Sequence, residues 1–217
     1  MSCFSWLTYD MLIWDISPPI STETPVFPGD TAYSQKWVSK LGPACPVNLT
    51  AITMSPHLGA HADAPLHYGG DAMGIGQVDL DPFLGPCRVI HAIGKGPLIT
   101  RAHLEHAAVN LPLRVLVRTC RKAPTIWSPG FSAFAPETIT WLASLGVLLI
   151  GIDSQSVDPA DSKTLDSHQQ LLAHDMRVLE NLVLDQVDEG DYELIALPLR
   201  LTSADASPVR AVLRSLR

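Results

Sequence analysis

No paired-cysteine motif, basic cluster, long apolar run or low-complexity stretch occurs in this sequence, and each absence excludes a class of function. The four cysteines, Cys3, Cys45, Cys87 and Cys120, are widely spread and form no CxxC. In a chain of 217 residues they do not make a disulfide scaffold, and they read as buried or idle thiols. Lys and Arg number 15 against 22 Asp and Glu, a net charge of -7. With no basic patch, nucleic acid is not a partner, and the acidity reads as solubility rather than as a clue to substrate. No segment has the length of a transmembrane helix. Met1 to Ile16 is fairly apolar, but Asp10 and Asp15 interrupt it and no basic residues precede it, so it lacks a signal-peptide layout. The expectation is a cytoplasmic protein with no membrane contact.

Charge is sparse as well, at 17% of residues against 47% hydrophobic, which is too apolar for a disordered chain. The length suits one domain with a real core. Eighteen prolines and fourteen glycines punctuate it, favouring many short elements over long helices. Met11–Ile16, Val47–Met54 and Cys87–Ala92 read as strands, and Pro25–Asp30 as a loop. Later, helices and strands alternate. Thr100–Val109 is a helix with Thr100 as N-cap, and Arg114–Thr119 is a strand. Pro136–Leu145 is a helix with Pro at its first turn and Gly146 beyond its end. Val147–Ile152 is a buried strand, Ser167–Met176 a helix and Glu193–Pro198 a last buried strand. The pattern is α/β with mixed sheets.

The strongest signal is Pro56-His57-Leu58-Gly59-Ala60-His61-Ala62-Asp63-Ala64-Pro65-Leu66-His67. Three of the eight histidines and an aspartate lie within eleven residues. His57 and His61 have the i, i+4 spacing of helical zinc ligands, but Pro56, Gly59 and Pro65 oppose a helix and no Glu follows His57. In an extended chain His57, His61, Asp63 and His67 would share one face, with Leu58, Ala60, Ala62, Ala64 and Leu66 on the other. Scattered histidines on a half-exposed strand would not sort so cleanly. Gly59 would leave room for an ion or substrate near the backbone. Imidazole and carboxylate without thiolate suit zinc, manganese or iron.

The run His-x-Gly-x-His-x-Asp-x-Pro-x-His resembles the signature of the cyclase-like metal hydrolases, and its context resembles the bacterial-type kynurenine formamidases (arylformamidases). Trp14-Asp15-Ile16-Ser17-Pro18-Pro19-Ile20, Thr24-Pro25-Val26-Phe27-Pro28-Gly29-Asp30, Gly151-Ile152-Asp153, Asp161-Ser162-Lys163-Thr164-Leu165, Ile195-Ala196-Leu197-Pro198-Leu199 and Asp205-Ala206-Ser207-Pro208-Val209-Arg210-Ala211 carry it further. The resemblance runs from about Met11 to the end. Residues 1–10 are therefore expected to be a weakly ordered or non-native extension, and 11–217 a single hydrolase domain.

The resemblance implies a swivelling β/β/α domain, a homodimer and two divalent ions per subunit, zinc first, with manganese or another ion as alternative. It assigns His57, His61 and Asp63 to the first ion. Asp63 would bridge to a second ion completed by His168, Glu180 would reach both, and His67 would donate and accept the proton. A lone His168 opening a helix would otherwise read as a surface or capping residue. Glu180 amid apolar neighbours needs a partner. The implied reaction is hydrolysis of N-formyl-L-kynurenine to L-kynurenine and formate in tryptophan degradation. Two departures stand out. Phe27 replaces the usual tryptophan against the substrate ring, keeping a stacking face without the indole N–H. Asp153-Ser154-Gln155-Ser156 replaces Asp-Thr-Pro-Ser in a loop after a buried strand. His91, His103, His106 and His174 read as structural or surface residues, while Asp30 and Lys163 could orient site groups or merely cap loops. The rival activities are opening of a cyclic amide such as isatin, cleavage of another small amide or lactone, and metal-dependent binding without catalysis.

Overall fold

The computed structural model describes residues 11–216. The extension expected over residues 1–10 lies outside the described residues. Nine strands form one mixed sheet: β1 (Ile13–Asp15), β4 (His61–Asp63), β5 (Leu84–His91), β7 (Arg114–Arg118), β9 (Leu149–Ile152), β10 (Arg177–Glu180), β11 (Gly190–Ile195), β12 (Ala206–Pro208) and β13 (Val212–Ser215). Their order is β1-β13-β11-β5-β7-β9-β10-β4-β12. The middle strands β5, β7, β9 and β10 run parallel, and the pairings on either side are antiparallel. Two small sheets stand apart, the hairpin β2 (Ser34–Ser39) with β3 (Leu49–Thr53), and β6 (Leu98–Ile99) with β8 (Ala133–Phe134).

Parallel neighbours need crossover connections, and helices supply them. α2 (Arg101–Leu104) lies between β5 and β7, α3 (Pro136–Ser144) between β7 and β9, and α4 (Asp166–Ala173) between β9 and β10. α3 packs on both α2 and α4, so one face of the sheet is covered by helices. Val115 and Val117 of β7 and Ile150 and Ile152 of β9 meet that layer, in one core with Ile139, Leu142 and Leu171. The alternate residues Leu116, Leu149 and Leu179 enter a second core with Ala62 of β4 and Leu213 of β13. Two-sided burial explains why these strands read as continuous apolar runs. Gly151 fits here because a Cβ would lie 2.5 Å from Leu116 Cδ2 and 2.9 Å from Leu182 Cδ1.

β12 and β13 are separated by only residues 209–211, yet they stand at opposite ends of the strand order. That is satisfied only if the sheet curls. Its two ends meet through Val209, whose N–H donates to Ala60 O at 2.9 Å, and Ile16, whose N–H donates to Ala211 O at 3.0 Å. The curl brings Asp205, just before β12, over the run that begins at His57.

Several boundaries differ from the sequence reading. Residues 57–67 are not one strand. Pro56 and His57 sit in a turn, only His61–Asp63 is extended, and Pro65 starts the one-turn helix α1 (Pro65–Tyr68). Proline at the first helical position is compatible with a helix start, and it ends the period of two before His67. The even positions still behave as expected. Leu58, Ala60, Ala62 and Ala64 are buried, and Leu66 packs partly against the same core. The helix expected over Thr100–Val109 is α2 followed by a 3-10 turn at Glu105–Ala107. β5 starts at Leu84, ahead of Cys87. The last strand expected, Glu193–Pro198, is β11, shifted towards Gly190 and buried on alternate residues rather than throughout. The hairpin β2–β3 has only its second strand legible in the sequence, because both strands are largely exposed.

Candidate metal centre

β4 and β10 pair antiparallel with His61 directly opposite Glu180, and Asp63 opposite Val178. Within β4, His61 and Asp63 point to one face and Ala62 to the other, so His61, Asp63 and Glu180 share a face. That face receives His168 from the first turn of α4. All four side chains are buried. His57 arrives from the preceding turn and His67 from α1, both nearer the surface, with side chains 21% and 32% exposed. The contiguous run and the two distant residues therefore converge, by turn, strand and helix rather than by one strand.

Two carboxylates hold the cluster together. Asp63 Oδ1 lies 3.0 Å from His57 Nδ1 and 3.3 Å from His61 Nε2, while Asp63 Oδ2 lies 3.3 Å from His168 Nε2. Glu180 Oε2 is 3.4 Å from His61 Nε2 and Glu180 Oε1 is 3.6 Å from His168 Nε2. Each carboxylate thus turns different oxygens to different imidazoles. His61 Nε2 and Asp63 Oδ1 are buried at these short distances yet make no aligned hydrogen bond. Buried polar atoms that close and that misaligned are unsatisfied without a cation between them. His61, Asp63 and Glu180 each offer a donor atom within 4.8 Å of the others, and His57, Asp63 and His67 form a second such group.

The far nitrogens are occupied, which fixes what the near ones present. His61 Nδ1 lies 2.9 Å from Gly59 O, and His168 Nδ1 lies 2.7 Å from Asp158 Oδ2. This is the arrangement that orients imidazole ligands towards a metal. Asp158 also accepts from the backbone N–H groups of Ser167 and His168, at 2.9 and 3.0 Å, and so caps α4 while it orients His168. Gly59 serves its turn through φ +72° and its carbonyl, with Ile20 packed where a Cβ would project, so the open approach expected there is filled by protein. Asp205 Oδ2 lies 3.0 Å from His57 Nε2 and 3.3 Å from His67 Nδ1, one oxygen serving both rings.

Charge explains the protonation of the cluster. Burial opposes the imidazolium form of His61, yet Asp63 and Glu180 outweigh it and push its pKa up to about 10. His168 is buried as well, and Asp158 with Asp63 raises it to about 10. His57 is raised against its burial, mainly by Asp63. Asp63, despite burial, is held well below the usual carboxylate range by His61, His168 and His57. The pocket attracts positive charge, and divalent cations would displace these protons. The donor set fits a metal, with imidazole and carboxylate ligands and no thiolate.

Above this floor is a cavity of about 520 Å³ lined by His57, His61, His67, His168 and Glu180 below and by Phe27, Trp127 and Phe131 at the side. That volume suits a small aromatic molecule. Phe27 and Trp127 meet edge to face, with centroids 5.8 Å apart at 85°. Of the loop after β9, Gln155 and Ser156 line the cavity. Asp153 does not. It is buried, which raises its pKa, and it accepts from Thr119 N (2.8 Å), Thr119 Oγ1 (2.6 Å) and Cys120 N (3.2 Å) at the root of the Trp127 loop. Asp30 lines the cavity, while Lys163 is exposed outside it. His91, His106 and His103 bond to Val187 O, Glu189 and Thr100 N, and His174 is exposed at the end of α4, all away from the site. Asp158, Asp205 and Trp127 were not singled out in the sequence. Asp205 did fall in a quoted motif, whereas nothing local marks the other two.

Known proteins resemble this chain in sequence and in fold. Residues 14–159 match the Cyclase family model. A kynurenine formamidase of Delftia acidovorans is 67% identical over 204 residues, covering 94% of this chain and 98% of its own. One of Bordetella pertussis is 68% identical over 205 residues, with the same coverage. Among solved structures, a "predicted metal-dependent hydrolase from Bacillus stearothermophilus" superimposes with a TM-score of 0.82 at 25% identity, covering 95% of this chain and 99% of that one. Isatin hydrolase A from Ralstonia solanacearum gives a TM-score of 0.80 at 22% identity, over 95% and 92% of the two chains, which is a likeness of fold.

Proposed function

The chain belongs to the cyclase family and, within it, to the kynurenine formamidases, and we propose that it hydrolyses N-formyl-L-kynurenine to L-kynurenine and formate. The observation that carries this reading is the placement of five metal-capable side chains, His57, His61, Asp63, His168 and Glu180, beneath an aromatic-walled cavity. In this reading His57, His61, Asp63, His168 and Glu180 would hold two divalent ions, zinc first among them, and Asp63 and Glu180 each turn separate oxygens to separate imidazoles. When bound, such ions would supply an acidified water and polarise the formyl carbonyl.

The protein's own groups do the rest. Asp205 holds Nδ1 of His67, which leaves Nε2 as the nitrogen that would serve the substrate. Nε2 takes a proton from the attacking water as the carbon–oxygen bond forms, and returns it to the aryl nitrogen as the carbon–nitrogen bond breaks. An aniline nitrogen conjugated with an ortho ketone departs more readily than an alkyl amine, so no covalent nucleophile is needed. Phe27 contacts the ring. The grouping of His57, Asp63 and His67 favours a second reading, in which His67 is itself a ligand. Metal content of His67→Ala distinguishes the two.

The same reading makes the enzyme a cytoplasmic homodimer. The described cysteines Cys45, Cys87 and Cys120 are free thiols, which suits a reducing compartment. No helix among the described residues is long and apolar enough to cross a membrane. Trp37, Val38 and Ile52 on the β2–β3 hairpin are more than half exposed and would be covered in the dimer, which light scattering tests. The activity is tested by incubating purified protein with N-formyl-L-kynurenine and with isatin, with and without chelator. Release of kynurenine, seen by its absorbance and abolished by chelation, is the expected result. Faster turnover of isatin would overturn the substrate assignment.

A further inference from the structure

We propose that Asp30 is a specificity-determining residue, whose carboxylate pairs with the α-ammonium of the substrate's amino-acid tail. The proposal rests on the formylkynurenine reading above. Among the described residues that line the cavity none is lysine or arginine, and the carboxylates are Glu180 at the floor and Asp30 on the wall. Glu180 is turned to His61 and His168. Asp30 is exposed. Its Oδ1 accepts from Thr31 N at 2.6 Å, and its Oδ2 accepts no hydrogen bond among the described residues. A carboxylate oxygen left to solvent on a cavity wall suits a cationic ligand group, and a hydrogen bond to it adds direction to charge.

One tight turn presents this carboxylate together with the ring of Phe27. Asp30 N donates to Phe27 O at 3.0 Å, with Pro28 and then Gly29, at φ +94°, between them, which is the pattern of a type II turn. The two ends of such a turn lie within about 7 Å of each other. Just beyond it, Thr31 O accepts from Ser55 N at 2.9 Å, and Ser55 Oγ accepts from His57 N at 3.2 Å. The turn is thereby tied to the segment that brings His57 to the floor. At its other end Phe27 meets Trp127 in one corner of the wall. Bracing of this kind holds a recognition group in place before substrate arrives.

The chemistry of the ligand follows from the two ends of the turn together. With the formyl carbon at the floor and the aryl ring against Phe27, the short keto chain ortho to the formamide carries the α-amino acid group beyond the ring. The reach of that chain is of the same order as the span of the turn, so the ring and the ammonium can meet Phe27 and Asp30 at once. The wall offers a carboxylate and no basic side chain, so the ammonium rather than the substrate's carboxylate is the group it holds. An aryl formamide that keeps the ring and the ortho ketone but ends in a methyl group would leave Asp30 with nothing to bind.

The metal-loaded wild type, Asp30→Asn and Asp30→Lys are compared on N-formyl-L-kynurenine and on 2′-formamidoacetophenone, with metal content and melting temperature measured alongside. Asp30→Asn keeps an oxygen for Thr31 N and loses the charge. Its KM for N-formyl-L-kynurenine should rise about three- to tenfold, the contribution of a charge-assisted hydrogen bond discounted for solvent. Its KM for 2′-formamidoacetophenone should move less than about twofold. Asp30→Lys sets like charges against each other and should raise the first KM further than Asp30→Asn does. Equal changes for the two substrates, as a residue that only fixes the turn would give, overturn the proposal, and so does no change in either. If the wild type hydrolyses neither substrate, the functional reading falls, and calorimetric binding of L-kynurenine and of 2′-aminoacetophenone still tests Asp30. Weaker binding of L-kynurenine alone in Asp30→Asn supports the proposal. An unchanged Kd, or no binding of L-kynurenine to the wild type, overturns it.

Discussion

Asp63, at the floor of the cavity, is 1% exposed and sits within a strand paired on both sides, whereas Phe27, on its wall, is 55% exposed and comes from a loop. The contrast extends to their surroundings. The buried floor residues belong to β4, β10 and α4, and there Asp158 and Gly59 O each fix an imidazole nitrogen. Wall residues belong to the connections before β2 and between β7 and β8, where a ring meets a ring and few polar contacts are made. Chemistry that tolerates little displacement is built on the sheet, and recognition that tolerates more is left to loops. The division can be broken by substitution on either side.

The largest effect is expected at Asp63. With both oxygens turned to different imidazoles, Asp63→Ala should lose metal and turnover together. Full metal content in that variant, by elemental analysis, would remove Asp63 from the ligands. Stripping metal from the unaltered protein gives a related test in pH. His61 and His168 are raised to about 10 in the folded state from an unfolded value of about 6.5. Their protonation therefore stabilises the metal-free fold fully below about pH 6.5, and that contribution is lost as pH rises through about 10. The melting temperature of the metal-free protein should fall across that window, while the loaded protein holds steady. A metal-free protein that melts higher at pH 9 than at pH 6.5 would contradict the charge balance.

His67 comes next. His67→Ala should keep its metal and lose about 10²–10⁴ in kcat with little change in KM. Loss of metal in step with activity would make His67 a ligand. Asp158→Asn should be milder. It leaves a hydrogen-bonding group beside His168 Nδ1 but removes the charge, and metal affinity should fall about 10- to 100-fold. Unchanged affinity would mean that α4 alone holds His168 in place.

Legibility in the sequence follows the same division. His57, His61, Asp63 and His67 were readable because they are contiguous and their apolar neighbours alternate with them. The alternation survived even though Pro56 and Pro65 broke the strand around it, since burial of Leu58, Ala60, Ala62 and Ala64 needs only that the even positions face inward. His168 and Glu180 were reachable through resemblance alone. What places Glu180 beside His61 is the pairing register of β4 with β10, which is set by the whole sheet. Asp158 and Asp205 act across loops, from ten and 138 residues away from His168 and His67, and no local pattern encodes that. Buried parallel strands such as β7 and β9 were plain because both of their faces are apolar. The exposed strand β2 has no such constraint and was missed.

The smallest effect is expected at the wall. Phe27 contributes the edge-to-face contact with Trp127 and part of the cavity lining. An aromatic contact of this kind is worth about 0.5–1.5 kcal/mol, so Phe27→Ala should raise KM for N-formyl-L-kynurenine about two- to tenfold. Its kcat and metal content should stay as they are, because Phe27 touches none of the floor residues through a hydrogen bond. Phe27→Trp restores the residue that the resemblance implies at this position, but Trp127 already brings an indole to the corner. A second indole adds bulk where one ring already packs on another, and crowding offsets part of the added stacking area. Any tightening of KM in Phe27→Trp should therefore stay below about threefold, well short of a full stacking contact. A tenfold gain would mean that the wall is underfilled in this protein and that Trp127 does not cover the face Phe27 leaves open. A fall in kcat or metal content in Phe27→Ala would do more damage, since it would tie the loop to the floor and dissolve the division between them.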